Sequence, residues 1–244
     1  MAAAGYGNRV EGTHAVSAAL AAGRVEKLFV ERRARDRLGV VLTAVDPGRI
    51  KVVDDVRPMA ETDAPQGVVA HCRPIQPVTL DELAGPAAAV LVFDHVEDPH
   101  NVGAAARSAR AAGMSGIVVS ARRAAPLSAV AFKASAGALE SIPVSIVNSI
   151  PEALNRLKSF GVWVVGLDAS GDQSLFGLEV LTEPVAVVVG AEGSGLAELT
   201  RKRCDVLASI PMHDDTESLN ASVSAALAAF EIMNARNHQA GDSS

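Results

Sequence analysis

Three stretches of the sequence place polar side chains where chemistry could be done. The first, at 94–101, reads Asp-His-Val-Glu-Asp-Pro-His-Asn and runs into a small-residue helical pattern that carries Arg107 and Arg110. Alanine, serine and glycine neighbours leave a guanidinium free to grip a phosphate or carboxylate through two hydrogen bonds. The commoner fate of an arginine on such a helix is a surface salt bridge. Asn101, just ahead of the pattern, fits an N-cap. The second stretch, at 190–195, is Gly-Ala-Glu-Gly-Ser-Gly. Gly190, Gly193 and Gly195 imply a backbone that turns through positive φ or passes close to something. Glu192 is either a site carboxylate or a partner for the dipole of a helix expected from Leu196. No Gly-Lys-Ser/Thr follows, and the spacing is not Gly-x-Gly-x-x-Gly, so neither common phosphate-binding loop is indicated. In the third stretch, at 210–220, Pro211 ends a strand. Ser218 and Asn220 either cap the following helix or offer a hydroxyl and an amide to a ligand. Met212 and Leu219 supply apolar walls for a purine or a thioether. His95, His100 and His213 share no metal-ligand spacing, so no metal is expected, and no nucleophile–base pair is visible.

These stretches need strands and helices to hold them. Apolar runs at 88–93, 116–120, 144–147, 162–167, 185–189 and 206–210 predict strands, with helical patterns at 102–112, 127–140, 150–160, 196–203 and 218–237. The runs are nearly continuous rather than alternating, which predicts an α/β fold whose parallel sheet is covered by helices on both faces. All three polar stretches then fall at the carboxyl ends of strands beside helix starts, where α/β proteins place ligands. A smaller α/β unit precedes them. Thr13 is read as the N-cap of a helix stopped by Gly23. Strands are expected at 25–31, 50–53 and 67–71, a helix at 32–45, and a proline-containing linker at 73–78. Domains are therefore expected at 1–75 and 76–244.

The chain has 244 residues, 49% of them hydrophobic and 20% charged, enough for a substantial core. Aromatic residues are only 3%, too few for the base-stacking platforms of single-strand binders. No apolar run is long enough to span a membrane, and the first residues do not read as a signal peptide. Cys72 and Cys204 are isolated, which fits a reducing cytoplasm rather than a disulfide or zinc framework. The net charge of −6 is unevenly spread: residues 1–75 carry 11 basic and 9 acidic side chains. Arg32, Arg33, Arg35 and Arg37 fall within six residues there. A local basic face can bind phosphates on an acidic protein, although such a run is more often a solvated helix face.

The three stretches, taken in order, resemble a known set. Asp94-x3-Asp98-Pro99-x-Asn101-x-Gly103-Ala104-x2-Arg107-Ser108-Ala109, then Gly190-Ala191-Glu192-Gly193-x-Gly195-Leu196, then Ile210-Pro211-Met212-x5-Ser218-Leu219-Asn220-Ala221-Ser222, are similar to the signature motifs of the SpoU-type RNA ribose 2′-O-methyltransferases. The segment Lys133-Ala134-Ser135-Ala136-Gly137-Ala138 also fits. The resemblance covers about 80–238. The front unit resembles the L30e-like RNA-binding domain of the family, and the combination is most similar to the bacterial 23S rRNA guanosine 2′-O-methyltransferase branch. Methylation of a tRNA guanosine, or of an rRNA adenosine as in antibiotic resistance, is an alternative, as is an RNA-binding or ribosome-assembly protein without activity. A nicotinamide-dependent oxidoreductase is disfavoured by the missing fingerprint and the late position of the glycine loop. The resemblance implies a trefoil-knotted SPOUT domain, a homodimer, an RNA substrate and S-adenosyl-L-methionine. It implies cofactor binding around Gly190, Gly193, Ile210, Leu219, Leu167, Met212 and Ser218, and catalysis by Arg107, Asn101, Glu192, Ser218 and Asn220. RNA contacts are expected from Arg107, from Arg32, Arg33, Arg35 and Arg37, and from Arg122 and Arg123.

Overall fold

The computed structural model describes residues 5–43, 45–122, 124–213 and 218–242. Arg123 lies outside them. The front unit contains β1 (Arg9–Glu11), α1 (Thr13–Ala21), β2 (Val25–Glu31), α2 (Gly39–Thr43), β3 (Ile50–Val53) and β4 (Val68–Cys72). Its sheet runs β1-β4-β2-β3, with β4 antiparallel to both neighbours and β3 parallel to β2. Two expectations fail here. The helix expected at 32–45 is a single 3-10 turn, Arg32–Ala34, followed by turns and the short α2. Turns at 35–38 separate the 3-10 turn from α2, and two arginines are held locally, Arg33 by Glu31 at 2.6 Å and Arg37 by the Gln66 carbonyl at 2.7 Å. The cap of α1 is Gly12 at φ 84°, with Thr13 already inside the helix and its N–H donated to Gln66 Oε1 at 3.1 Å.

The rest of the chain forms α3 (Leu80–Leu83), β5 (Ala89–Asp94), α4 (Pro99–Ala111), β6 (Gly116–Ser120), α5 (Ala129–Ala134), β7 (Val144–Val147), α6 (Ile150–Ser159), β8 (Trp163–Leu167), β9 (Gln173–Ser174), β10 (Val185–Gly190), α7 (Glu198–Arg201), β11 (Val206–Ser209) and α8 (Ala221–Asp242). The six strands read from the sequence are all present, joined by the two-residue β9. They make one sheet, β7-β6-β5-β10-β8-β11-β9, paired in parallel throughout. Its two faces explain the unbroken apolar runs. Leu91, Phe93, Val187 and Val189 pack toward the alanine-rich faces of α4 and α8. Val90, Val92, Ala186 and Val188 pack toward Leu83 of α3 and Ile150, Leu154 and Leu157 of α6. Small residues on α4 (Ala105, Ala106, Ala109) and α8 (Ala225, Ala228, Ala229) let the two helices approach closely. Arg236 anchors α8 by donating to the carbonyls of Leu181, Ala87, Ala88 and Glu183.

Two helices are shorter than their patterns and a third, α8, is displaced along the chain. The one expected at 127–140 breaks at Ala136 (φ 49°) and Gly137 (φ 87°), leaving α5 and a 3-10 turn. α7 occupies only four residues of 196–203. α8 starts at Ala221, after a cap by Asn220, whose Oδ1 accepts from Ser222 N at 2.9 Å. No helix is long and apolar enough to cross a membrane. Both cysteines are free, and burial pushes the Cys72 thiol up to about 11 and the Cys204 thiol up to about 12.

The front unit and the α5 region share a core. Tyr6 packs on Phe132, and Ala129 N donates to Glu61 Oε2 at 3.3 Å. Arg24, only 8% exposed, grips Glu140 with two parallel bonds of 2.7 and 2.6 Å and donates to the Gly7 carbonyl at 3.0 Å. Removing one partner of such a buried pair leaves an uncompensated charge, at a cost of about 3–5 kcal/mol. We therefore expect Glu140→Ala to lower the unfolding free energy by about that amount in urea titration. A change below about 1 kcal/mol would show that the clamp contributes nothing net.

Candidate functional site

β10 lies between β5 and β8, so the chain's direction of travel across the sheet reverses next to β5, and a crevice opens at the strands' carboxyl ends. Asp94, the last residue of β5, is fully buried. Its Oδ2 accepts from Ala197 N at 2.8 Å, and its Oδ1 meets His95 Nδ1 at 2.7 Å. That carboxylate ties the far end of the glycine loop to the strand next door and helps hold His95 at φ 60°, a backbone state few non-glycine residues adopt. The loop itself closes by mutual bonds, Ala191 N to Gly195 O at 3.1 Å and Gly195 N to Ala191 O at 2.9 Å. A Cβ at Gly190 would be driven into the Gly195 carbonyl, so glycine is required there by space.

The crevice holds a cavity of ≈ 280 Å³ lined by Leu167, Gly190, Gly193, Ile210, Met212, Ser218 and Leu219, every residue that the sequence motifs assign to cofactor binding. Apolar walls with a few polar groups suit an organic ligand of cofactor type. Beside it, a cleft is lined by His95, Glu97, Asp98, Asn101, Ala191, Glu192 and Ser194. Between the two sits a polar junction. Glu192 Oε1 accepts from Asn101 Nδ2 at 2.9 Å, from Asn220 Nδ2, and from Ala221 N at 3.3 Å. Asn220 Nδ2 also donates to Asn101 Oδ1 at 2.9 Å.

This geometry decides several alternatives. Asn101 is not the N-cap of α4. Asp98 is, accepting from His100 N at 2.8 Å ahead of Pro99, and Asn101 is a buried residue within the first turn with its side chain free to serve the junction. Glu192 is not the partner of α7; it meets the N-terminus of α8 instead. Asn220 both caps α8 and joins the junction, and Ser218 lines the cavity.

Arg107 stands apart. It is exposed, makes no hydrogen bond or ion pair with the described residues, and lines neither the cavity nor the cleft. Six residues along a helix place it about 9 Å from Asn101 and on a different side. Arg32, Arg33, Arg35, Arg37 and Arg122 are all exposed. Arg33 and Arg37, with Arg57, line a recess in the front unit next to Gln66 and Gly67. Among the described residues no three His, Cys, Asp or Glu side chains gather as a metal site. Sequence reasoning missed Asp168, which follows β8 and lines the cavity. Its carboxyl is held below the usual range, first by the Ser170 hydroxyl at 2.6 Å and also by Arg201 at 3.0 Å. The signal was its position, one residue past a strand's carboxyl end. Asp94 carried the same signal, yet its anchoring role shows only in three dimensions.

Comparison with known proteins agrees with this architecture. Residues 88–230 match the model of the SpoU rRNA Methylase family, and residues 9–78 match that for RNA 2'-O ribose methyltransferase substrate binding. The chain is 39% identical over 240 residues to the Pseudomonas aeruginosa protein named 23S rRNA (guanosine-2'-O-)-methyltransferase RlmB, covering 93% of this chain and 96% of that one. It is 31% identical to a Staphylococcus saprophyticus protein named as a putative TrmH family tRNA/rRNA methyltransferase, covering 94% and 96% of the two chains. Among solved structures, the SpoU methyltransferase AviRb from Streptomyces viridochromogenes, determined with the cofactor AdoMet, superposes with a TM-score of 0.80 at 28% identity, over 94% of this chain and 90% of that one. With the motifs in order, the crevice they build and matches along nearly the whole length, the chain belongs to the SpoU rRNA methylase family of RNA 2'-O-ribose methyltransferases.

Proposed function

We propose that this protein transfers a methyl group from S-adenosyl-L-methionine to the 2′-hydroxyl of a guanosine in 23S rRNA. The observation that carries the reading is the polar junction of Asn101, Glu192 and Asn220 beside an apolar cavity edged by a tight glycine loop. A binding protein without activity has no need of a buried amide and a carboxylate locked together at that point. The cavity residues Leu167, Gly190, Gly193, Ile210, Met212, Ser218 and Leu219 would hold the cofactor, which supplies an electrophilic methyl group. The protein's contribution is alignment: Asn101, Asn220 and Ser218 orient the ribose by hydrogen bonds. Positioning of this kind can supply about 7–11 kcal/mol of barrier reduction. Arg107, whose planar fork of donors suits a phosphate, serves as an anchor for the RNA backbone rather than as a base. The 23S rRNA assignment follows the name of the Pseudomonas relative.

The reading extends to the elements around the site. Residues 1–75 act as an L30e-like RNA-binding domain in front of the methyltransferase domain at 76–244, with Arg32, Arg33, Arg35, Arg37 and Arg122 meeting phosphates; Arg123 lies outside the described residues. The methyltransferase domain is a trefoil-knotted SPOUT fold, a reading supported by the chain after β11, which lies on the far side of β8, returning as α8 over β10 to pack on α4. The protein works as a cytoplasmic homodimer without a metal. Exposed Val223 and Phe230 on α8 support a protein interface there.

Three outcomes test this. Purified protein with radiolabelled S-adenosyl-L-methionine should label 23S rRNA from a strain lacking the gene and leave its tRNA unlabelled. Label in tRNA, at an adenosine, or in no RNA would sink the guanosine assignment. Gly190→Ala should weaken cofactor binding at least about tenfold by calorimetry, equivalent to about 1.4 kcal/mol. Unchanged affinity would place the cofactor elsewhere. Arg107→Ala should lower RNA affinity or single-turnover rate by about tenfold, equivalent to about 1.4 kcal/mol. A variant matching the parent in both would remove Arg107 from the mechanism.

A further inference from the structure

The cleft beside the cofactor cavity has an unusual lining for a protein that works on RNA. Glu97, Asp98 and Glu192 border it and, among the described residues, no lysine or arginine does. Such walls repel a phosphate, so the cleft suits a part of the nucleotide that offers hydrogen-bond donors and carries no negative charge. Resting on the methyltransferase reading, we propose that the cleft receives the base of the target nucleotide and that Glu97 reads it as guanine. The cleft and the ≈ 280 Å³ cavity share Ala191, Glu192 and Ser194 as a common wall. A ribose whose 2′-hydroxyl meets the methyl group at that wall carries its base on the adjacent carbon. With the cofactor on one side, the base falls to the other, where ≈ 390 Å³ of space is open to it.

Two side chains equip the cleft for a base. His95 lines it with an imidazole held by Asp94 at 2.7 Å, on a backbone at φ 60°. A ring fixed in this way gives an unstacked base a surface to lie against. Glu97 is exposed and makes no hydrogen bond or ion pair with the described residues, so both its oxygens are open to a ligand. The other two carboxylates are committed, Asp98 to the cap of α4 and Glu192 to the donors from Asn101, Asn220 and Ala221. A carboxylate accepts and does not donate. Guanine alone among the four bases presents two adjacent donors on its Watson–Crick edge, the N1–H and the 2-amino group, which match the two oxygens. Adenine and cytosine place a lone pair beside their amino group, and uracil flanks its one N–H with two carbonyls. Each of these sets an acceptor against an acceptor, so the same carboxylate that attracts guanine rejects the others.

The test uses 23S rRNA transcripts that carry either guanosine or adenosine at the nucleotide the parent protein methylates. Glu97→Gln replaces one accepting oxygen by a donating amide, a pattern that pairs with the N1 and the amino group of adenine. The ratio of kcat/KM for guanosine over adenosine should therefore fall at least about tenfold. Calorimetric affinity for S-adenosyl-L-methionine should stay within about threefold of the parent, since Glu97 does not line the cavity. A ratio within about threefold of the parent's, whether both rates fall together or neither falls, overturns the proposal. A ligated transcript with inosine at the target lacks only the 2-amino group. The parent should lose at least about tenfold in kcat/KM on that RNA, and Glu97→Ala less than about threefold. Equal losses overturn the proposal too. If the parent labels no RNA, or labels it at another base, the functional reading fails; if it methylates guanosine and these ratios do not move, only the role of Glu97 fails.

Discussion

One carboxylate oxygen gathers three segments that lie far apart in the chain. Glu192 Oε1 draws together the first turn of α4, the glycine loop after β10 and the start of α8. Two of its donors, Asn101 Nδ2 and Ala221 N, belong to buried residues, and an unpaired buried amide costs about 1–3 kcal/mol. Displacing the glycine loop would therefore take from both α4 and α8 the acceptor they share. Asp94 has the corresponding role in the layer beneath, tying the loop's exit to the end of β5. The result is a site whose geometry is fixed before any ligand arrives, which is what a reaction limited by alignment requires.

The sheet was legible in the sequence because burial on both faces leaves a strong signature. The runs at 88–93 and 185–189 are unbroken because alternate residues enter different cores, as Leu91 and Val92 do. The helices were less legible, for particular reasons. The pattern at 127–140 continues through Ala136, yet the chain turns through positive φ there, which periodicity does not register. The pattern at 32–45 passes through an arginine cluster whose side chains bond locally. A signal went unread at α3, where Thr79 and Glu82 form a capping box that the Thr-x-x-Glu spacing announces.

At the site, residue types were legible and roles were not. Cavity residues could be carried over individually from the motifs, and all of them line a single space. Asn101 and Glu192 each had an ordinary explanation, a helix cap and a dipole partner, that one-dimensional reasoning could not discard. Contacts across 91 and 28 residues of sequence decided between them. Arg107 shows the opposite outcome: a motif position strongly marked in sequence stands outside the cavity and cleft of a single chain.

The joint between the front unit and the rest has a further consequence. Tyr6 against Phe132, and Arg24 gripping Glu140, make a welded seam rather than a flexible tether. A seam of this kind turns the molecule into a gauge of fixed span. On the function proposed above, an RNA held by the front unit would meet the crevice at a distance that the seam sets. Loosening the seam would then change which nucleotide is presented before it changed how fast any nucleotide reacts.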